Sequence, residues 1–128
     1  MISYTVYKVV HYVGLFVLVA ALSAGLARLA APRARGETPD PWARRLGAVH
    51  GIALLLVLTG GFGMLARLDV TGSVALLPGW VWAKVTIWVV LGGVLTLGRR
   101  RREWAPALLV GVPVLAALAG LIALTKPF

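Results

Sequence analysis

The sequence predicts an all-α fold, an integral membrane bundle of four helices in up-down-up-down order. Three observations predict it. Of 128 residues, 60% are hydrophobic and 13% charged, with a mean hydropathy of +0.92, whereas a water-soluble domain is about half apolar and a quarter charged. The apolar residues gather in four stretches of roughly 19–26 residues, and about 20 cross a ~30 Å hydrocarbon core as a helix. The links between them are short and polar, which favours antiparallel neighbours. Residues 1–128 then form a single transmembrane domain, with no length left for a domain outside the membrane. None of the stretches alternates with period two, which argues against a barrel, and helices satisfy their own backbone hydrogen bonds in lipid.

The first stretch, residues 4–29, has no basic region before its apolar core. That core is longer than the ~7–15 residues of a signal peptide, so the stretch reads as a retained span. The link 30–45 holds Pro32, Pro39 and Pro41 among charged residues and reads as a polar turn. In the second stretch, 46–66, Gly47 and Gly51 stand four apart, a small-xxx-small seam for close helix contact. Gly60, Gly61 and Gly63 would let a neighbouring backbone, or a flat ring, approach closely. A mild link, 67–78, leads to the third stretch, 79–97, which carries Gly92 and Gly93. The tight basic link 98–104 leads to the fourth, 105–124, which Pro113 should bend and in which Gly111, Ala116 and Gly120 supply a small face.

The formal charge of +9 has a topological reading. Arg28, Arg33, Arg35, Arg44, Arg45, Arg99, Arg100, Arg101 and Arg102 lie near the first and third links, which share one side. Only Lys8, Arg67, Lys84 and Lys126 lie toward the other. Basic residues in short loops stay cytoplasmic, so both termini face outward. Arg44, Arg45 and Arg99 to Arg102 mark that cytoplasmic face and could meet anionic lipid. A basic surface divided between two membrane turns is a poor fit to nucleic acid. Trp42 and Trp104 mark the inner interface; Tyr4, Trp80 and Trp82 mark the outer one.

Reactive groups are few. With no cysteine there is no disulfide, zinc knuckle or covalent haem attachment. The only carboxylates are Glu37, Asp40, Asp69 and Glu103, all in links, so no acid pair stands inside the bundle for proton transfer. There is no Ser-His-Asp set, zinc-protease helix or phosphate loop. This economy favours a non-enzyme.

The polar residues at membrane depth carry the information. Lys8 and His11 are three apart and share a helix face. His11 lies roughly 10 Å below the outer end and Lys84 roughly 7 Å, at 1.5 Å per residue, so the two could meet. An intramembrane cation without a partner costs about 2.5–3.5 kcal/mol on insertion scales. A haem propionate, a quinone oxygen or a lipid phosphate would each compensate. Two alternatives stand beside this: the lysines could snorkel to the headgroups over their apolar stems, or Asp69 could fold back onto Arg67 or Lys84. His50 lies near the inner face, either hydrogen-bonded across helices or part of a separate haem or quinone site. His11 and His50 differ in height by roughly 12 Å, too far to share one iron. Haem b or a quinone is the expected cofactor, with His11, Lys84, Lys8 and His50 as candidate ligands and His11 as the candidate axial ligand. Other membrane subunits, or a second copy, are the expected partners.

Helix one, with Lys8, His11 three later and Arg28 near its end, resembles the opening of HemJ-type protoporphyrinogen oxidases. Gly79, Trp80 and Lys84 resemble that family's Gly-Trp-x-His-x-Lys segment, with Trp82 in place of its histidine. The family's methionine-proline segment at the start of helix two is absent. The chain also resembles, over nearly its whole length, the SirB family of four-helix membrane proteins. That resemblance rests on Lys8 and His11, His50 opening helix two, Trp80 or Trp82 before Lys84, and Leu91-Gly92. It implies a four-helix membrane protein. The HemJ-type resemblance implies bound haem and essential roles for His11 and Lys84. Three functions follow as expectations: a haem- or quinone-binding redox-linked subunit, a cofactor-free scaffold subunit of a larger complex, and a haem-dependent protoporphyrinogen oxidase.

Overall fold

A computed structural model describes residues 2–33, 36, 38–68 and 77–128. Four helices account for most of them: α1 (Tyr4–Ala30), α2 (Pro41–Arg67), α3 (Gly79–Arg100) and α4 (Ala105–Thr125). A 3-10 turn, Arg102–Trp104, joins the last two. The fold is an all-α four-helix bundle, and each helix is long and apolar enough to cross a membrane.

Two helices begin or end outside the limits expected from hydropathy. α2 starts five residues before position 46, because Asp40 and Pro41 are a helix start. The Asp40 carboxylate accepts from the Trp42 N–H at 3.0 Å, and Pro41 sits where its missing N–H is not needed. Only Pro32 and Pro39 therefore lie in the first link. α3 runs on through Arg99 and Arg100, where cations favour the negative end of the helix dipole. Ser3 caps α1, its hydroxyl accepting from Val6 N–H at 3.4 Å. α3 has no side-chain cap; the Phe128 carbonyl accepts from Trp80 N–H at 3.0 Å instead.

The helices run antiparallel in sequence, but the packing is uneven. α1 and α2 share the most extensive interface, and α1 also packs on α4. The sequential neighbours α2 and α3 are in contact but touch sparingly. The core joins Leu18, Leu22 and Leu26 of α1 to Ala53 of α2, Leu91 and Leu95 of α3 and Val112 of α4. Outside it, Phe16, Leu55, Val89 and Val110, one on each helix, are 58–74% exposed. A water-soluble protein does not surround itself with such residues; a lipid-solvated one does.

Glycines set the α1–α2 contact. A Cβ on Gly60 would stand 2.6–2.7 Å from the His11 backbone and Cβ, and one on Gly14 would stand 2.8 Å from Leu56 Cβ. The backbones thus pass at a distance no side chain permits. The ring slotted against this glycine run belongs to the chain itself: Tyr7 covers Gly63 and His11 covers Gly61. The other small-residue expectations fare differently. Gly47 lies against the Arg99 guanidinium, and Gly51, Gly93, Gly111 and Gly120 meet nothing within 4 Å. Gly47 and Gly51 therefore form no seam with another helix of this chain, and the small face of α4 is open.

Candidate functional site

His11 is held by its neighbours in α2. Its Nδ1 lies 2.7 Å from the Val57 carbonyl. A carbonyl can only accept, so Nδ1 carries a proton, and in the neutral ring Nε2 keeps its lone pair. The ring lies against Gly61, whose Cβ would be 3.4–3.5 Å from Nδ1 and Cε1, and is flanked by Tyr12 at 6.2 Å between centroids. This is the arrangement in which a histidine offers Nε2 to a metal or to an O–H donor, its other nitrogen oriented by a carbonyl.

Lys84 is half-buried on α3. Its ammonium sits 6.0 Å from the centre of the Trp80 ring, which also receives Lys126 at 5.5 Å. Among the described residues the ion pairs are Arg28–Asp40 and Arg101–Glu103, and neither involves Lys84. The expected return of Asp69 lies outside the described residues. Lys8 does not join this pair. It is exposed, with its ammonium 5.8 Å from the centre of the Tyr12 ring, as a lysine lifting its charge toward the interface would be.

His50 is different in kind. It is 7% exposed, and its Nε2 donates to the Leu91 carbonyl at 3.2 Å. One helical turn away the direction reverses, as Trp88 of α3 donates its indole N–H to the Leu54 carbonyl of α2 at 3.0 Å. These two bonds tie together α2 and α3, which otherwise touch sparingly. Trp88 carried no signal in sequence beyond being an aromatic in an apolar helix.

The contacts also fix relative height. His11 meets α2 at Val57, seven residues beyond His50. Lys84 precedes Leu91, the partner of His50, by seven residues on the antiparallel α3. His11 and Lys84 therefore share one layer, and His50 sits roughly 10 Å from it. Both histidines on one iron do not fit. In that layer His11 offers a lone pair suited to an iron or a quinol O–H, and Lys84 an ammonium suited to a carboxylate or carbonyl oxygen. Among the described residues no group of three metal-ligating side chains forms.

The basic residues expected to mark topology separate at the other end. Arg99 and Arg102 line a cleft together with Arg28 and Arg33. Arg44, Arg45, Arg100 and Arg101 do not; Arg45 covers Trp42 at 5.2 Å, and Arg101 pairs with Glu103 at 3.7 Å. No protein-family model, curated protein or solved structure matches this chain.

Proposed function

We propose that this protein is a non-catalytic, SirB-like multi-pass subunit of a bacterial inner membrane that holds haem b or a quinone near the outer face through His11 and Lys84. The observation that carries the reading is the Nδ1–H bond from His11 to Val57, which in the neutral ring leaves Nε2 as an oriented lone pair in the same layer as a half-buried lysine. When bound, either group supplies one-electron redox chemistry. His11 would hold the iron or accept a quinol proton at Nε2. Lys84 would neutralise a propionate or donate to a quinone oxygen. With the arginine-rich end in the cytoplasm, the termini and this layer belong to the outer half.

The test is an absorption spectrum and a quinone extraction on detergent-purified full-length protein. A Soret band or stoichiometric quinone should be present, lost in His11→Ala, reduced in Lys84→Met and retained in His50→Ala. Protein that neither co-purifies with haem or quinone nor takes up either when added overturns the reading.

A cofactor-free scaffold is favoured by a different observation. Gly93 and Gly111 line an apolar groove of about 290 Å³ between α3 and α4 and meet nothing of their own chain, as small residues do where another helix packs. The chain has no cysteine, so Gly111→Cys gives a clean crosslinking probe. The HemJ-type resemblance supports protoporphyrinogen oxidase activity as the remaining alternative. Growth of a strain lacking that enzyme, restored by this chain and not by His11→Ala, would establish it.

A further inference from the structure

At the arginine-rich end the chain forms a cleft of about 370 Å³ between the end of α1, the start of α2 and the end of α3. Arg28, Arg33, Arg99 and Arg102 line its rim, and Leu29, Leu46 and Leu95 line its wall. Asp40 is the one carboxylate lining it among the described residues, so the lining has a formal surplus of three positive charges. Arg35 and Glu37, in the same link, lie outside the described residues and cancel in formal charge.

Three of the guanidiniums are held in place. Arg28 donates to Asp40 at 2.9 Å. Arg99 donates to the Ala43 carbonyl at 2.9 Å, lying against α2 where Gly47 has no side chain to block it. Arg102 donates through two nitrogens to the Leu29 carbonyl at 3.0 and 3.2 Å. An arginine has five N–H donors, and these bonds use one, one and two of them. The remaining donors are oriented before any ligand arrives. Oriented forks of this kind match phosphate oxygens.

We propose that this cleft is a phosphate-binding site, taking the phosphodiester of an anionic phospholipid or a free phosphate. The apolar wall of Leu29, Leu46 and Leu95 beside the arginine rim suits the glycerol and first methylenes of a lipid. Basic pockets between transmembrane helices on the cytoplasmic side bind such headgroups elsewhere. The site lies at the opposite end of the bundle from His11 and Lys84, so it stands or falls independently of the cofactor reading.

The test is native mass spectrometry of the full chain in neutral detergent, titrated with phosphatidylglycerol, cardiolipin, phosphatidylcholine or inorganic phosphate. Saturable binding of one anionic lipid, with phosphatidylcholine inert, is expected. Arg99→Gln and Arg102→Gln should each weaken it about tenfold or more, the scale of a lost charge-assisted bond. Arg44→Gln and Arg100→Gln remove the same charge outside the cleft and should change it less than twofold. Arg99→Lys keeps the charge and loses the fork, and Gly47→Ala pushes Arg99 aside with no change in charge; both should weaken binding. Far-UV circular dichroism checks that each variant is folded. Saturable inorganic phosphate binding with the same variant pattern assigns the site to free phosphate. Equal losses in cleft and control variants, or no saturable binding of any phosphate-bearing probe, overturns the proposal.

Discussion

Gly60→Ala tests the geometry on which the outer site rests. The added methyl would lie 2.6–2.7 Å from the N, Cα and Cβ of His11, where carbon atoms pack best at about 3.5–4.0 Å. Two of those atoms are backbone, so relief requires α1 and α2 to part by roughly 1 Å. Overpacking of this kind costs about 1–3 kcal/mol. Parting also strains the 2.7 Å bond from His11 to Val57, and an interhelical hydrogen bond in a membrane contributes about 0.6 kcal/mol and at most ~1.7. A loss of about 2–4 kcal/mol is expected. Gly61→Ala, whose methyl would sit 3.4–3.5 Å from the movable His11 ring, should cost less. Gly51→Ala, with nothing within 4 Å, should stay within about 0.5 kcal/mol of the parent. The assay is unfolding in mixed micelles by titration with sodium dodecyl sulfate, followed by tryptophan fluorescence and far-UV circular dichroism. If Gly60→Ala unfolds at the same midpoint as Gly51→Ala, the close α1–α2 crossing is wrong, and with it the pinning of His11.

Further outcomes follow from other contacts. Trp88→Phe removes the indole bond to Leu54 and should lower stability by about 0.6 kcal/mol, up to ~1.7, in the same titration. Asp40→Asn keeps an acceptor for Trp42 N–H and loses a pair with Arg28 whose side chains are 45% and 26% exposed. Such a pair contributes ~1 kcal/mol or less, whereas Asp40→Ala also loses the cap and should cost about 1 kcal/mol more. Lys84→Met removes a half-buried cation and should stabilise the apo-protein by up to ~3 kcal/mol while lowering haem or quinone content. Unchanged stability together with unchanged content would mean that the ammonium resides among the headgroups.

Part of the arrangement was open to reading from residues alone. His11 and Lys84 were expected at similar depth because helical rise converts position into height, and the contacts of Val57 and Leu91 put them in one layer. Lys8 was grouped with them because spacing reports a shared face. It does not report which way a flexible side chain turns, and Lys8 turns to Tyr12. The start of α2 was missed because hydropathy weighs apolar content, and Pro41-Trp42-Ala43-Arg44-Arg45 is polar although helical. The cap at Asp40 and the proline after it were the better signal.

The sequence by itself determined the number of helices, their antiparallel order and the concentration of arginines at one end. Each is a local property, set by apolar length, helix termini and charge. Tertiary structure alone decided which faces meet. In lipid all sides of a helix are apolar, so no hydrophobic stripe marks the buried one. Gly60 and Gly51 therefore look alike in sequence, yet one carries the α1–α2 crossing and the other faces open space. For the same reason the tie from Trp88 to Leu54 and the four-arginine cleft, drawn from α1, the link after it, α3 and the 3-10 turn, became visible only once the helices were packed.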